Sequence, residues 1–153
     1  MERVRARILT AILCLVAVSA FASAEDDIRS TFETFVVAQN SHDAGAVKEV
    51  LLDSPAFLWV TRGNAIRGRE AAMKRFETLY QGTWKLSPDM AGLKVALLNE
   101  SAAHLTVPVT FKIGATGQAA PDAPFILNQT LVKGASDWRI ANILPIPLPA
   151  PSK

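Results

Sequence analysis

From His104 to Ile113 apolar and polar residues alternate without a break. Leu105, Val107, Val109, Phe111 and Ile113 fall on one side, and His104, Thr106, Pro108, Thr110 and Lys112 on the other. A repeat of two over ten residues is the pattern of a long β-strand with one buried face, and it cannot be threaded as a helix without scattering its apolar set. The chain must therefore build a sheet and supply a second layer to cover it. Pro108 cannot donate to a ladder, so it predicts a bulge or an edge at that point.

The covering layer comes earlier in the chain. Ile28, Phe32, Phe35 and Val36 recur at helical spacing between about Asp26 and Asn40, with Glu25, Asp26 and Asp27 where the helix dipole favours negative charge. Asn40-Ser41-His42-Asp43 interrupts that helix. A short second helix follows, with Asp43 as its N-cap and Val47, Val50 and Leu51 as its buried side, ended by Asp53-Ser54-Pro55. A third helix is predicted over Arg69 to Tyr80, facing inward with Ala72, Met73, Phe76 and Tyr80. Further strands are predicted at Phe57–Thr61, Ala65–Arg67, Thr83–Ser87, Leu93–Asn99, Phe125–Lys133 and Trp138–Leu144. The end, from Pro145 to Pro151, alternates proline with other residues and reads as an extended polyproline-like tail without internal hydrogen bonds. These elements make an α+β fold, a curved antiparallel sheet wrapped around three helices, and such a cone leaves a central cavity fit for a small molecule.

Residues 1–24 read as a secretory signal peptide. Arg3, Arg5 and Arg7 precede an apolar run from Ile8 to Phe21, and Ala22-Ser23-Ala24 supplies a cleavage pattern. The run is too short for a stable membrane span. Cys14 follows Leu13, where a lipoprotein site wants a small residue, so lipidation is not expected. The full chain has 16 basic and 14 acidic residues, and removing the leader leaves 13 of each. The mature protein is thus neutral in bulk, which argues against nucleic acid or an anionic membrane as partner. It has no cysteine, hence no disulfide and no thiolate metal site. The expected organisation is a leader at 1–24, one domain at 25–144 and the proline-rich tail at 145–153, exported and periplasmic.

The stretch from Phe57 to Phe76 holds Gly63, Gly68 and a cluster of cations: Arg62, Arg67, Arg69, Lys74 and Arg75. A phosphate-cradling loop would need Gly-Lys-Ser/Thr entering the helix, and Gly68-Arg69-Glu70 is not that. Gly63-Asn64 reads as a hairpin turn and Gly68 as a helix entry. The five cations form a candidate patch for an anionic partner, against the plainer reading of a solvated surface with Glu70–Lys74 support at i, i+4. No histidine pair stands at metal-ligand spacing, and neither a metal nor a cofactor is expected.

The order of these elements, with Asn40-Ser41-His42-Asp43, then Val47, Val50, Leu51 and Leu52, and then Gly63-x4-Gly68-Arg69-Glu70-x5-Phe76, resembles the NTF2-like superfamily, nearest its SnoaL-like and DUF4440-like branch. The resemblance implies the cone fold, and it implies dimers formed through the sheet. In the isomerase branch it implies a tyrosine on the first helix, a basic aspartate in the first strand and a protonated aspartate on a later strand. At those places this chain carries Phe35, the carboxylate-free Phe57-Leu58-Trp59-Val60-Thr61, and Asn128. The proton acceptor is missing, and an amide cannot replace it near neutral pH. His42 reads as a turn residue and His104 as a polar-face strand residue. The expected function is therefore binding of a small, largely apolar molecule, with Phe35, Trp59, Tyr80, Asn128 and Asn142 as candidate lining. The alternatives are a SnoaL-type isomerase, dehydratase or cyclase with unconventional groups, or an envelope interaction module.

Overall fold

The computed structural model describes residues 23–149. The expected leader, up to residue 22, lies outside the described residues, as do residues 150–153. Helix α1 spans 23–40, α2 Ala44–Val50 and α3 Arg69–Leu79. The strands are β1 Leu58–Thr61, β2 Asn64–Arg67, β3 Thr83–Pro88, β4 Lys94–Asn99, β5 Ala102–Gly114, β6 Asp122–Lys133, β7 Trp138–Ile140 and β8 Asn142–Pro147. They form one curved sheet in the order β2-β1-β8-β6-β5-β3, with β4 also on β5 and β7 on β6. Among the described residues no helix is long and apolar enough to cross a membrane.

The three helices close one face of the sheet. Ile28, Phe32, Phe35 and Ala38 on α1, Val47 on α2, and Ala72, Met73 and Phe76 on α3 are buried against Leu105, Val107, Val109 and Phe111 of β5 and Leu127 and Leu131 of β6. Each large side chain so buried contributes on the order of 1.5–3 kcal/mol, which makes this shared face the main source of stability. Asp43 caps α2 as expected, its carboxylate accepting from the Ala46 amide at 2.9 Å.

The structure corrects several expectations. The sheet is mixed: β1 runs parallel to β8, pairing Leu58 with Asn142 and Trp59 with Ile143, while its other pairings are antiparallel. Pro108 is neither an edge nor a bulge, because β5 and β6 pair in unbroken register through Val107–Leu127, Pro108–Ile126 and Val109–Phe125. It sits where β3 ends opposite Val109 and β4 begins opposite Thr106, and its carbonyl accepts from Asp89 on that side. Its missing N–H therefore faces the gap between two partner strands, where no ladder bond is required. The hairpin turn is Arg62-Gly63 rather than Gly63-Asn64, with both residues at positive φ, 48° and 77°.

The predicted strand Trp138–Leu144 is two strands, broken at Ala141. Ile140 pairs with Leu131 but Leu144 pairs with Asn128, so one extra residue is inserted on this side. The inserted residue is what keeps Trp138, Ile140 and Ile143 all buried. The expected tail also begins later than Pro145. Pro145, Ile146 and Pro147 belong to β8 opposite Leu127, Ile126 and Phe125, and the Leu148 amide donates to the Pro124 carbonyl at 3.0 Å. By strand alternation Leu144, Ile146 and Leu148 turn their amides to β6, and the prolines turn theirs away. Proline at every second residue is thus compatible with the end of β8, which lies beyond the Leu58–Asn142 and Trp59–Ile143 pairings to β1 and has no ladder partner on that side among the described residues.

Candidate functional site

Between the helices and the curved sheet lies a cavity of about 540 Å³. Its floor is aromatic: Phe35 from α1, Trp59 from β1, Phe76 from α3 and Trp84 from β3, all buried. Trp59 stacks on Phe76 with centroids 4.3 Å apart, and the Trp84 ring stands edge-on to both, at 6.3 Å and 6.0 Å. The walls are inward positions of the sheet, including Leu86, Phe111, Phe125, Leu127 and Ile143. The mouth is formed by Arg62 and Gly63 of the hairpin turn, Pro121, and the Pro145 and Pro147 end of β8. Among the described residues the only ionisable side chain in this lining is Arg62.

Behind the aromatic floor sits a polar cluster. The Gln39 side-chain carbonyl accepts from the Tyr80 hydroxyl at 2.8 Å and from the Trp84 indole N–H at 2.7 Å. The His42 ring stacks on Tyr80 at 4.8 Å, nearly parallel, and its Nε2 lies 3.0 Å from the Trp84 carbonyl. Asn40 completes the arrangement, its Nδ2 donating to the Leu86 carbonyl at 2.9 Å and its Oδ1 accepting from the Leu86 amide at 2.8 Å. β3 is the end of the sheet order, so these α1 and turn residues occupy backbone groups that an edge would leave open. Burial, and then the charge of Asp43, raises the Tyr80 phenol above its ordinary value, so it stays a neutral donor.

The expected lining residues thus divide. Phe35 and Trp59 line the cavity. Tyr80 does not; its hydroxyl is spent on Gln39 behind the floor. Asn128 and Asn142 do not reach the cavity either. Along β6 the buried positions are Leu127, Gln129 and Leu131, which puts Asn128 on the outer face beside Thr106 and Leu144. Asn142 is the inserted residue of the β7–β8 break. Its side chain accepts from the Thr130 amide at 2.8 Å and donates to the Thr130 hydroxyl at 2.9 Å, while the Thr130 carbonyl still accepts from the Ala141 amide, so the break leaves the Thr130 backbone satisfied. His104 is on the outer face opposite Thr130.

Of the five cations, Arg62 alone lines the cavity. Arg69 is largely buried and bound to Asp53 at 2.7 Å. The Glu70 partner is Lys48 of α2, at 2.9 Å, not the expected Lys74. That hydrogen-bonded lysine is the chief cause holding the Glu70 carboxyl below its usual range. Arg67, Lys74 and Arg75 are exposed.

Sequence reasoning missed Phe76, Trp84, Phe111, Phe125 and Leu127 as lining, and missed Gln39 and Gln129 as buried amides. Strand parity was the available signal: once Leu127 faces inward, Gln129 must as well. No candidate metal cluster of His, Cys, Asp and Glu occurs among the described residues.

No protein-family model matches the chain, and no curated protein is recognisably similar in sequence. Solved structures are similar in fold. An NTF2-like superfamily protein from Salmonella enterica serovar Typhimurium matches with a TM-score of 0.75 at 13% identity, over 86% of this chain and 96% of its own. A proposed scytalone dehydratase from Novosphingobium aromaticivorans matches with a TM-score of 0.72 at 11% identity, over 86% and 89%. A proposed dehydratase of the NTF2-like family from Streptomyces avermitilis matches with 0.71 at 13% identity, over 84% and 99%. Together they show that the fold is NTF2-like, and at these identities they show the fold alone.

Proposed function

We propose that this chain is an exported, periplasmic protein of the SnoaL-like and DUF4440-like branch that binds a small, largely apolar molecule in its cone. The observation carrying this reading is the lining: five buried aromatic rings, with Phe125 and aliphatic side chains completing the wall, around about 540 Å³, within the usual size of small-molecule sites. Rings already packed against one another are ordered before binding, so little entropy is lost on closing around a flat or aliphatic guest. An isomerase or dehydratase would need an ionisable acid–base pair facing the guest. The described lining offers only an arginine, which is no proton acceptor at neutral pH.

The outer face of β5, β6 and β8, carrying Thr106, Asn128, Thr130 and Leu144, supports a homodimer through the sheet. The Asn128 side-chain carbonyl there has no partner among the described residues. A second chain laid on this face would supply one.

Native mass spectrometry and thermal shift on the chain from residue 25, screened with aromatic and aliphatic small molecules, test both halves. The expected result is a two-chain mass, raised melting temperature with apolar ligands, and loss of that rise in Leu127→Trp, which fills the cavity. Ligand shifts that persist in Leu127→Trp would refute the cavity reading.

A further inference from the structure

We infer that the guest is an amphipathic monoanion, its apolar body in the cavity and its anionic head on the Arg62 guanidinium; this rests on the cavity reading above. Three observations converge on Arg62. It stands at the mouth of an otherwise uncharged, aromatic-floored cavity. It and Ile113 also line a neighbouring, more open groove of about 440 Å³ whose other walls include Thr78, Gln81, Thr116 and Gln118. Neither lining contains a carboxylate, and no carboxylate lies within ion-pair distance of Arg62 among the described residues. The apolar site therefore opens past one cation onto a polar shelf, which is the polarity sequence of an amphipathic acid rather than of a neutral hydrocarbon.

The backbone supplies the third observation. Arg62-Gly63 is a two-residue hairpin loop with both φ values positive, 48° and 77°, joining Thr61 to Asn64. That turn favours asparagine, aspartate or glycine at its first position, and a long side chain is held there against its backbone preference. Residues kept in such a conformation cluster where a side chain must be aimed. Arginine is suited to the aim, because its planar fork meets a carboxylate or sulfonate with two parallel hydrogen bonds.

Two fluorescent probes separate head from body: anilinonaphthalene sulfonate and its uncharged parent phenylnaphthylamine, which share the apolar rings. The intact protein is expected to bind the sulfonate more tightly than the neutral probe, with only the sulfonate weakened by salt. Arg62→Asn, which suits the turn better, should keep the fold, leave the neutral probe within about twofold, and weaken the sulfonate by about five- to tenfold. Arg62→Lys should recover part of that loss. Equal sulfonate affinity in the intact protein and Arg62→Asn would overturn the head-group assignment while leaving the cavity reading intact. Loss of both probes in a folded Arg62→Asn would also overturn it, by giving Arg62 a structural role. Binding of the neutral probe that is insensitive to Leu127→Trp would instead refute the cavity itself.

Discussion

Replacing Gln129 with leucine should make the protein more stable, which is an unusual outcome for a fully buried polar residue. Gln129 lies in the middle of β6, opposite Leu105, with Leu127 and Leu131 two residues away on the same face, and it is 0% exposed. Neither its amide nitrogen nor its oxygen has a protein partner among the described residues. Leaving such a group unpaired costs about 1–3 kcal/mol in proteins. Leucine is close in volume and its strand neighbours Leu105, Leu127 and Leu131 are apolar, so Gln129→Leu removes that cost without opening a cavity. The expected gain is about 1–3 kcal/mol, or roughly 5–10 °C in melting temperature for a domain of this size. Urea denaturation should show a higher midpoint with unchanged slope, since the surface exposed on unfolding is nearly the same. A loss of more than about 1 kcal/mol would refute the reasoning. It would mean that the amide is satisfied in solution, by ordered water or by a guest. Gln129 would then join Leu127, its neighbour in the cavity wall, as part of the site.

Two other perturbations test the polar cluster behind the floor. Asn40→Ala removes both side-chain bonds to Leu86 and should cost about 1–2 kcal/mol in thermal or urea unfolding; an unchanged midpoint would show that the edge of β3 does not depend on this clamp. Tyr80→Phe addresses proton linkage. The folded state holds the phenol proton more tightly than the unfolded chain does, because burial and then Asp43 raise it. Stability should therefore fall as pH rises above about 10 in the intact protein. Tyr80→Phe should flatten that fall while costing about 1 kcal/mol at neutral pH through the lost bond to Gln39; identical alkaline slopes in the two proteins would contradict it.

The sheet was legible in the sequence wherever one parity was clearly apolar, as along β5. β6 carries two mixed sets: Phe125, Leu127, Gln129 and Leu131 against Ile126, Asn128, Thr130 and Val132. The first is three-quarters apolar and the second half, each contains an amide, and that margin alone is too thin to say which faces the helices. Pairing with β5 decides it, because Leu127 must share a face with Val107. That choice sent Asn128 outward and brought Gln129 in, reversing the expected donor position. The β7–β8 break was legible in principle. Trp138, Ile140 and Ile143 cannot share one face of a regular strand, and the misfit of one residue is the inserted Asn142. The parallel pairing of β1 with β8 was not legible, because the two strands are some eighty residues apart and their partnership depends on how the whole chain returns.

Parity also limits which side chains of the cone can meet a guest. A cone becomes an acid–base enzyme when inward positions of its helices and strands hold ionisable groups, and there are few such positions. Here α1 presents Phe35, β1 presents Trp59, and β6 presents Leu127 and the uncharged Gln129. Changing any of these to a lone carboxylate would bury a charge without a partner, and the carboxyl would take up a proton instead of acting as a base at moderate pH. A carboxylate placed there would need hydrogen-bond donors to stay charged; Tyr80 and the Trp84 indole already donate to Gln39, and the Trp59 indole N–H is unpaired among the described residues. Among the described residues the groups left unpaired at the cavity include the Trp59 indole N–H on the floor and the Arg62 cation at the mouth, both of which donate and neither of which accepts a proton at neutral pH.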